Sequence, residues 1–213
     1  AEVEAVLAAA RKHNILVIED CAQALGALAK GGKVGTRGDF AFFSLAAGKG
    51  LTMYEGGMLV TMHAHYGTLL NAVAAQYAPK DTVMETIRVI ELLGYGLFYR
   101  PLLFWFVFTL PQQVWRLLGN DIRALREDFS LDFPVHSVSR FRIGVAHNAF
   151  TRLDGEIAQQ REKAAWYIRE LEACRGIRIL QEGAGDRATY PYMTLVFDDP
   201  GARNNALQRC SRA

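Results

Sequence analysis

Three polar residues in the first quarter of the chain stand where strands are predicted to end. Asp20 follows the β-branched run 15–18, Ser44 ends the apolar run 40–44, and Lys49 comes five residues later. Ligands of open α/β sheets bind at the carboxyl ends of the strands. The three residues would bring a carboxylate, a hydroxyl and an amine to such a site. Taken singly, each has a plainer interpretation as a turn cap, a strand end or a solvated lysine.

Spacing excludes two other kinds of site. Gly48-Lys49 resembles the end of a nucleotide-triphosphate loop, but such a loop needs a glycine where Phe43 stands and a Ser or Thr where Gly50 stands. The histidines and cysteines form no ligand set at metal-binding spacing, so we expect no metal site.

Blocks of sequence around the three polar residues resemble a known family. The blocks are Val17 to Gly26 (VIEDCAQALG), Gly35 to Ser44 (GTRGDFAFFS), Lys49 to Thr52 (KGLT) and Glu55 to Gly57 (EGG). In order and spacing they are similar to the DegT/DnrJ/StrS group of sugar aminotransferases, which use pyridoxal 5'-phosphate (PLP) and have fold type I. Weaker similarity extends through Arg152-Leu153-Asp154 and Arg161.

The resemblance implies roles for four residues. Lys49 matches the lysine that forms a Schiff base with the cofactor aldehyde and then carries the proton in transamination. Asp20 matches the acid that pairs with the pyridine nitrogen and keeps it protonated, so that the ring acts as an electron sink. Ser44 matches a ligand of the cofactor phosphate, and Gln23 matches a residue that contacts the ring.

The same resemblance implies an enzyme, a PLP-dependent aminotransferase. We expect it to act on a keto sugar, nucleotide-linked, in polysaccharide or glycoconjugate precursor synthesis, with glutamate as amino donor and a homodimer as the full-length assembly. A sugar dehydratase of this family would carry histidine in place of Lys49. A hypothesis from a different class stays open: a catalytically inactive protein of this fold that binds a partner or a membrane.

The chain departs from the family pattern in several places. Ala46-Ala47-Gly48 stands where His-Pro-Thr is common, and Gly50 stands where Asn often follows the lysine. Residues 133–137 (FPVHS) offer no clear equivalent of the Asn that a neighbouring subunit brings to the phosphate. Because the family's N-terminal part and the rest of its small domain are not in this sequence, we expect an internal fragment that is inactive by itself.

The elements that would position these residues follow an α/β pattern. Strands are predicted where short apolar runs lie between turns, at 15–18, 40–44, 58–61, 177–180 and 192–197. Helices are predicted where apolar residues recur at three- and four-residue steps, at 2–12, through most of 63–128, over 138–174 and from about 201. The first three strands fit one sheet, and the last two fit a βαβ-like tail.

Combined with the resemblance, this pattern predicts an α/β fold. Residues 1–136 would form part of the PLP-binding large domain, a three-layer α/β/α structure, with an apolar helical insertion near 92–118. Residues 137–174 would be a long connecting helix, and residues 175–213 would start a small α/β domain.

The most apolar segment runs from Leu97 to Leu110 and is interrupted by Arg100 and Pro101. The uninterrupted part is too short to span a bilayer as a helix, which takes about 20 residues. One interpretation is a helix buried against the body or a dimer partner. The other is a hairpin in peripheral contact with the inner face of the membrane.

Composition limits the class of protein. Hydrophobic residues make up 51% and charged residues 22%, as in soluble globular proteins. A formal net charge of +2 gives no field strong enough to favour nucleic acid as a partner. Three widely separated cysteines, an odd number without a CxxC pair, indicate the reducing cytoplasm.

Overall fold

A computed structural model of the chain describes residues 3–103, 105–106, 110–117, 119 and 135–210. The helices within this part are α1 (Val3–Lys12), α2 (Ala64–Tyr77), α3 (Thr82–Phe98), α4 (Leu110–Leu117), α5 (Arg140–Phe150), α6 (Leu153–Glu172) and α7 (Pro200–Cys210). The strands are β1 (Ile18–Asp20), β2 (Leu28–Ala29), β3 (Gly32–Lys33), β4 (Phe40–Ser44), β5 (Gly57–Val60), β6 (Ile177–Ile179) and β7 (Leu195–Phe197). Of the region 63–128 that is predicted to be mainly helical, residues 104, 107–109, 118 and 120–128 lie outside the described residues.

The central sheet has the order β1-β4-β5. β1 runs parallel to β4, with Asp20 opposite Phe42. β5 runs antiparallel to β4, with Ser44 opposite Gly57. The prediction that the first three long apolar runs share one sheet is confirmed. Because β1 and β4 are parallel, their carboxyl ends lie at the same edge, where Asp20 and Ser44 stand.

The prediction of a buried strand at 15–18 is wrong. The run lies mostly before β1, and Ile15 and Ile18 are 60% and 61% exposed. In the part of the chain that the structure describes, β1 pairs with β4 alone. The strand is therefore a sheet edge here, and its apolar side chains are uncovered.

The core continues from the sheet to the segment that carries Lys49. Ala41 and Phe43 of β4 pack with Cys21, and this cluster is bordered by Leu25 and Met58. The same two bordering residues also contact a second cluster. That cluster consists of Leu45, Leu51, Met53, Leu153 and Ile157. Helix α6 is thereby packed directly against the residues that flank Lys49.

The single long helix predicted over 138–174 is two helices, α5 and α6. At the break, the Thr151 hydroxyl donates to the Asn148 carbonyl at 2.7 Å. An unbroken helix would offer that carbonyl to the Arg152 N–H, which instead donates to the Ala149 carbonyl at 3.1 Å. A threonine hydroxyl that competes for backbone carbonyls in this way interrupts a helix.

The βαβ-like tail predicted from residue 177 is an antiparallel pair. Ile177 lies opposite Phe197 and Ile179 lies opposite Leu195. Residues 180–194 between the two strands, all of which the structure describes, contain no helix. Part of this connection returns to the first strands, since Leu28 and Arg187 form a β-bridge. The predicted final helix is confirmed as α7.

The apolar segment from Leu97 is partly described, without residues 104 and 107–109. Helix α3 ends within it, at Phe98. Leu102 is 90% exposed, and Trp105 and Phe106 are about half-exposed. Among the described residues, no helix is long and apolar enough to cross a membrane.

Candidate functional site

Asp20 and Ser44 lie on the same face of the central sheet. Residues opposite each other in a ladder point to the same face, and so do residues two apart on one strand. Asp20 is opposite Phe42, and Ser44 is two residues beyond Phe42. From ordinary strand spacings, the Cα atoms of Asp20 and Ser44 are about 8 Å apart. The carboxylate and the hydroxyl can therefore act on one small molecule.

A cleft at this edge of the sheet brings together three of the four predicted site residues. Gln23, Ser44 and Lys49 line it, and residues of α6, including Glu156 and Ile157, line the opposite wall. The enclosed space is about 30 Å³. That is room for one or two water molecules, so a larger ligand must occupy the open side of the cleft.

Asp20 is not among the residues that line the cleft. Its side chain is exposed, and its carboxylate accepts a hydrogen bond from the Ala22 N–H at 3.0 Å. This bond is the turn-capping interaction that a strand-end aspartate commonly makes. The exposed carboxylate lies at the end of the neighbouring strand, β1.

The Ser44 hydroxyl and the Gln23 amide have few competing contacts. The Ser44 oxygen accepts one long hydrogen bond, from the Ala46 N–H at 3.4 Å. Gln23 is exposed at the rim of the cleft. Both side chains therefore retain capacity to bind a polar ligand.

Lys49 lies on a closed loop, residues 45–57, which we call the Lys49 loop. Leu45 closes the loop by donating to the Gly56 carbonyl at 2.9 Å and accepting from the Met53 N–H at 3.0 Å. The Lys49 side chain is half-buried, and its amine makes no hydrogen bond or ion pair with any residue that the structure describes. The amine is thus held near Ser44 without a competing partner.

Glu19 was given no role by sequence reasoning, yet it organises the turn before β4. One of its oxygens accepts from the N–H groups of Arg37 and Gly38, both at 2.8 Å, and the other from Gly35 at 3.1 Å. Gly35 has a φ of +85°, and a Cβ there would lie 2.6 Å from the Phe43 ring. Glu19 also lies at the end of β1, so the signal that singled out Asp20 could have found Glu19 as well.

Sequence reasoning also missed Arg142, which is only 1% exposed. A signal existed, because Arg142 precedes Ala146 and Ala149 on the apolar face of the predicted helix, at helical steps of four and three. A charged residue on such a face needs buried partners. Those partners lie on α3 and in the Lys49 loop, as set out below.

Cys21 is a packed residue beneath the site and not a nucleophile. The residue is 1% exposed. Burial, together with the carboxylates of Glu19 and Asp20, raises the pKa of the Cys21 thiol to about 11. The thiol therefore stays protonated near neutral pH, in the form that is a poor nucleophile.

The described part of the chain contains no cluster of three or more His, Cys, Asp or Glu side chains that could hold a metal ion.

A model of the DegT/DnrJ/EryC1/StrS aminotransferase family matches residues 1–80. The match covers 80 of the 213 residues. The matched part contains Asp20, Gln23, Ser44 and Lys49 and ends just before α3.

Two curated relatives illustrate the likeness to the DegT/DnrJ/EryC1/StrS family. The GDP-perosamine synthase of Caulobacter vibrioides is 48% identical over 60 residues, which are 28% of this chain and 16% of that protein. The L-glutamine:2-deoxy-scyllo-inosose aminotransferase of Streptoalloteichus tenebrarius is 38% identical over 100 residues, 44% of this chain and 24% of that protein. The chain thus matches a quarter or less of the length of either relative.

A solved structure extends the likeness over the whole chain. The Escherichia coli GDP-4-keto-6-deoxy-D-mannose-3-dehydratase, a structure with bound hydrated PLP, superposes with a TM-score of 0.64 at 14% identity. The match covers 100% of this chain and 48% of that one. At this identity the likeness establishes the fold. The predicted fold class is confirmed: the chain is an α/β fragment of the fold of these PLP enzymes.

Proposed function

We propose that the protein binds PLP through Lys49 and, at full length, transfers an amino group to a keto sugar. The finer proposal is a nucleotide-linked keto sugar, an amino donor such as glutamate, and a cytoplasmic homodimer serving polysaccharide or glycoconjugate precursor synthesis. One observation carries it: Lys49, Ser44 and Gln23 line one cleft, with the Asp20 carboxylate on the same sheet face as Ser44.

The chemistry of these side chains fits PLP. The Lys49 amine, unpaired among the described residues, suits the aldehyde, the Ser44 hydroxyl suits the phosphate, and the Asp20 carboxylate suits a protonated pyridine nitrogen. Because the enclosed volume of the cleft is small, the PLP ring would lie at the open side of the cleft, on the sheet face that carries Asp20. An amine at position 49 also favours transamination over the dehydratase reaction.

Each residue would then have a separate task. When bound, PLP supplies an electron sink for the carbanion formed as the α-proton leaves. Lys49 would hold the cofactor and would be the group that moves that proton, since its amine lines the cleft without a competing partner among the described residues. Asp20 would keep a proton on the ring nitrogen, because a carboxylate in contact with the ring favours its protonated form. Ser44 and Gln23 hold the phosphate and the ring.

Covalent trapping tests the proposal. The chain is incubated with PLP, reduced with borohydride and digested, and modified peptides are mapped by mass spectrometry. We expect the reduced adduct on the peptide that contains Lys49, and we expect Lys49→Ala to remove it. Ser44→Ala should weaken PLP uptake by about tenfold, since one hydrogen bond to a charged phosphate is lost.

Lys163→Ala is the matched control, because Lys163 is an exposed lysine on α6 and is not one of the residues that line the cleft. It should leave the adduct unchanged. Trapping that is equal in wild type and Lys49→Ala, or spread evenly over exposed lysines, would contradict the proposed role of Lys49. A full-length protein that takes up no PLP would favour the inactive binding protein.

A membrane-binding role is the second candidate, and it rests on the described part of the segment 97–110. Leu97, Leu102 and Phe106 expose more than half of their area, and Trp105 nearly half. Aromatic and aliphatic side chains of this kind bind at lipid headgroups. Flotation with anionic vesicles tests it. The wild-type chain should float with the vesicles, and Leu102→Glu should stay in the bottom fraction. Leu207→Glu on α7 should float like wild type.

A further inference from the structure

The buried Arg142 side chain donates hydrogen bonds to the backbone of the Lys49 loop. Its Nε donates to the Met53 carbonyl at 3.3 Å, and one terminal nitrogen donates to the Glu55 carbonyl. The other terminal nitrogen is 2.8 Å from a Glu85 oxygen. Arg142 therefore links α5, α3 and the residues that follow Lys49.

Glu85 is the counterion that makes this buried arginine tolerable. Its carboxylate also accepts from the Ser139 N–H at 2.8 Å and lies 3.2 Å from the His136 Nε2. Burial by itself would raise the pKa of Glu85, but the hydrogen bonds from Ser139 and the Arg142 guanidinium hold it below its usual value. The pair stays ionised and satisfied, which is the condition for a buried ion pair to persist.

Helix α3 reaches the Lys49 loop at two further points. Arg88 pairs with the Glu55 carboxylate at 2.7 Å. Near the other end of α3, the Tyr95 ring meets the Tyr54 ring edge to face, with 6.1 Å between the ring centroids. The contacts of α3 thus fall on positions 54 and 55 of the loop, and Arg142 holds the carbonyls of positions 53 and 55.

Helix α3 begins at Thr82, beyond residues 1–80 that match the family. We propose that α3 is a clamp on the Lys49 loop, with Arg142 and Tyr95 as positioning residues that fix where the Lys49 amine stands. The clamp itself is a property of the chain without cofactor. Its importance for catalysis rests on the proposed function. A fixed loop backbone matters because a small displacement of a reacting group costs rate steeply.

Hydrogen exchange and amine labelling test the clamp. In Tyr95→Leu, which removes the aromatic contact with Tyr54, amide exchange over residues 53–56 should quicken about fivefold, the equivalent of one aromatic pair. In Arg142→Lys, exchange over 53–56 should quicken by at least as much, while β4 keeps its protection. The rate of Lys49 reductive methylation by formaldehyde and cyanoborohydride at a fixed pH, mapped by mass spectrometry, should change in both, because the amine is no longer held in one place.

Tyr77→Leu is the matched control, since Tyr77 is 66% exposed on α2. It should change neither readout. Should Arg142→Lys fail to fold, Tyr95→Leu and Arg88→Gln decide the question. Unchanged exchange in the loop, or faster exchange spread equally over β4 and the loop, would overturn the clamp. Both readouts are taken without PLP, so a failed trapping experiment would not contradict the clamp. Likewise, unchanged exchange in the loop would not contradict PLP binding by Lys49.

Discussion

Glu19 holds the turn before β4 with one carboxylate, and this dependence is measurable. Three backbone N–H groups donate to it, from Gly35, Arg37 and Gly38. Removing the acceptor leaves partly buried donors unsatisfied, so Glu19→Ala should lower the free energy of unfolding by about 2 kcal/mol or more. Urea denaturation measures it.

Glu4→Ala provides the comparison at the same scale. Glu4 pairs with Arg37 at 3.1 Å, but its side chain is 60% exposed. A surface pair of this kind contributes within about 0.5 kcal/mol. If the two variants were destabilised equally, the three hydrogen bonds of Glu19 would not be the reason for its effect.

Single residues also mark how far the sequence can predict the site. The placement of Asp20, Ser44 and Lys49 at strand ends follows from short apolar runs, and the structure has that order. The hydrogen bond from Ala22 to Asp20 depends on the conformation of the turn, and the ion pair of Arg142 joins residues that are 57 positions apart. Local periodicity predicts neither. Roles for the four site residues came from the family resemblance alone, and they stay predictions.

At the scale of elements, periodicity gave the type of most helices and strands but not where they break or how they pair. The apolar face over 138–174 continues across Thr151, so the repeat does not register the hydroxyl that ends α5. Likewise, two strands separated by 15 residues of unclear pattern suit either a parallel or an antiparallel pair, and β6 and β7 are antiparallel.

An ion pair joins α6 to the connection between β6 and β7. Arg161 makes two contacts of 2.8 Å with Glu182, and it also donates to the Ala188 carbonyl. The bond to the Arg161 guanidinium lowers the pKa of Glu182 from 4.5 to about 2. A carboxyl with a lowered folded pKa stabilises the fold above its unfolded pKa, and this contribution is lost as the pH falls through the folded value.

Glu182→Gln should therefore be less stable than wild type at pH 7, by about 1 kcal/mol. The difference should shrink between pH 4.5 and about 2, where the wild-type carboxyl takes up its proton. Urea denaturation across this range measures it, with Glu162→Gln on the exposed side of α6 as control. A difference that is constant with pH would mean that the charge of Glu182 is not what stabilises this junction.

At the scale of the whole molecule, one side of α3 is left uncovered by the rest of the described chain. On this side apolar residues recur at helical steps, and all of them are exposed. These residues are Val83, Ile87, Ile90, Leu93 and Leu97. Periodicity predicts such a face but not what covers it, because its partner is not local in sequence.

The exposed face of α3 predicts how the isolated chain behaves. An uncovered apolar stripe of this length associates with other apolar surfaces in water, since burying each large side chain gains about 1.5–3 kcal/mol. We expect the chain to sediment above monomer mass at micromolar concentration and to enhance the fluorescence of an apolar dye. Ile90→Lys combined with Leu93→Lys should reduce both effects, because neither side chain contributes to the clamp on the Lys49 loop. Leu207→Lys, 62% exposed on α7, should reduce neither. A monodisperse monomer without dye binding would show that this face needs no partner.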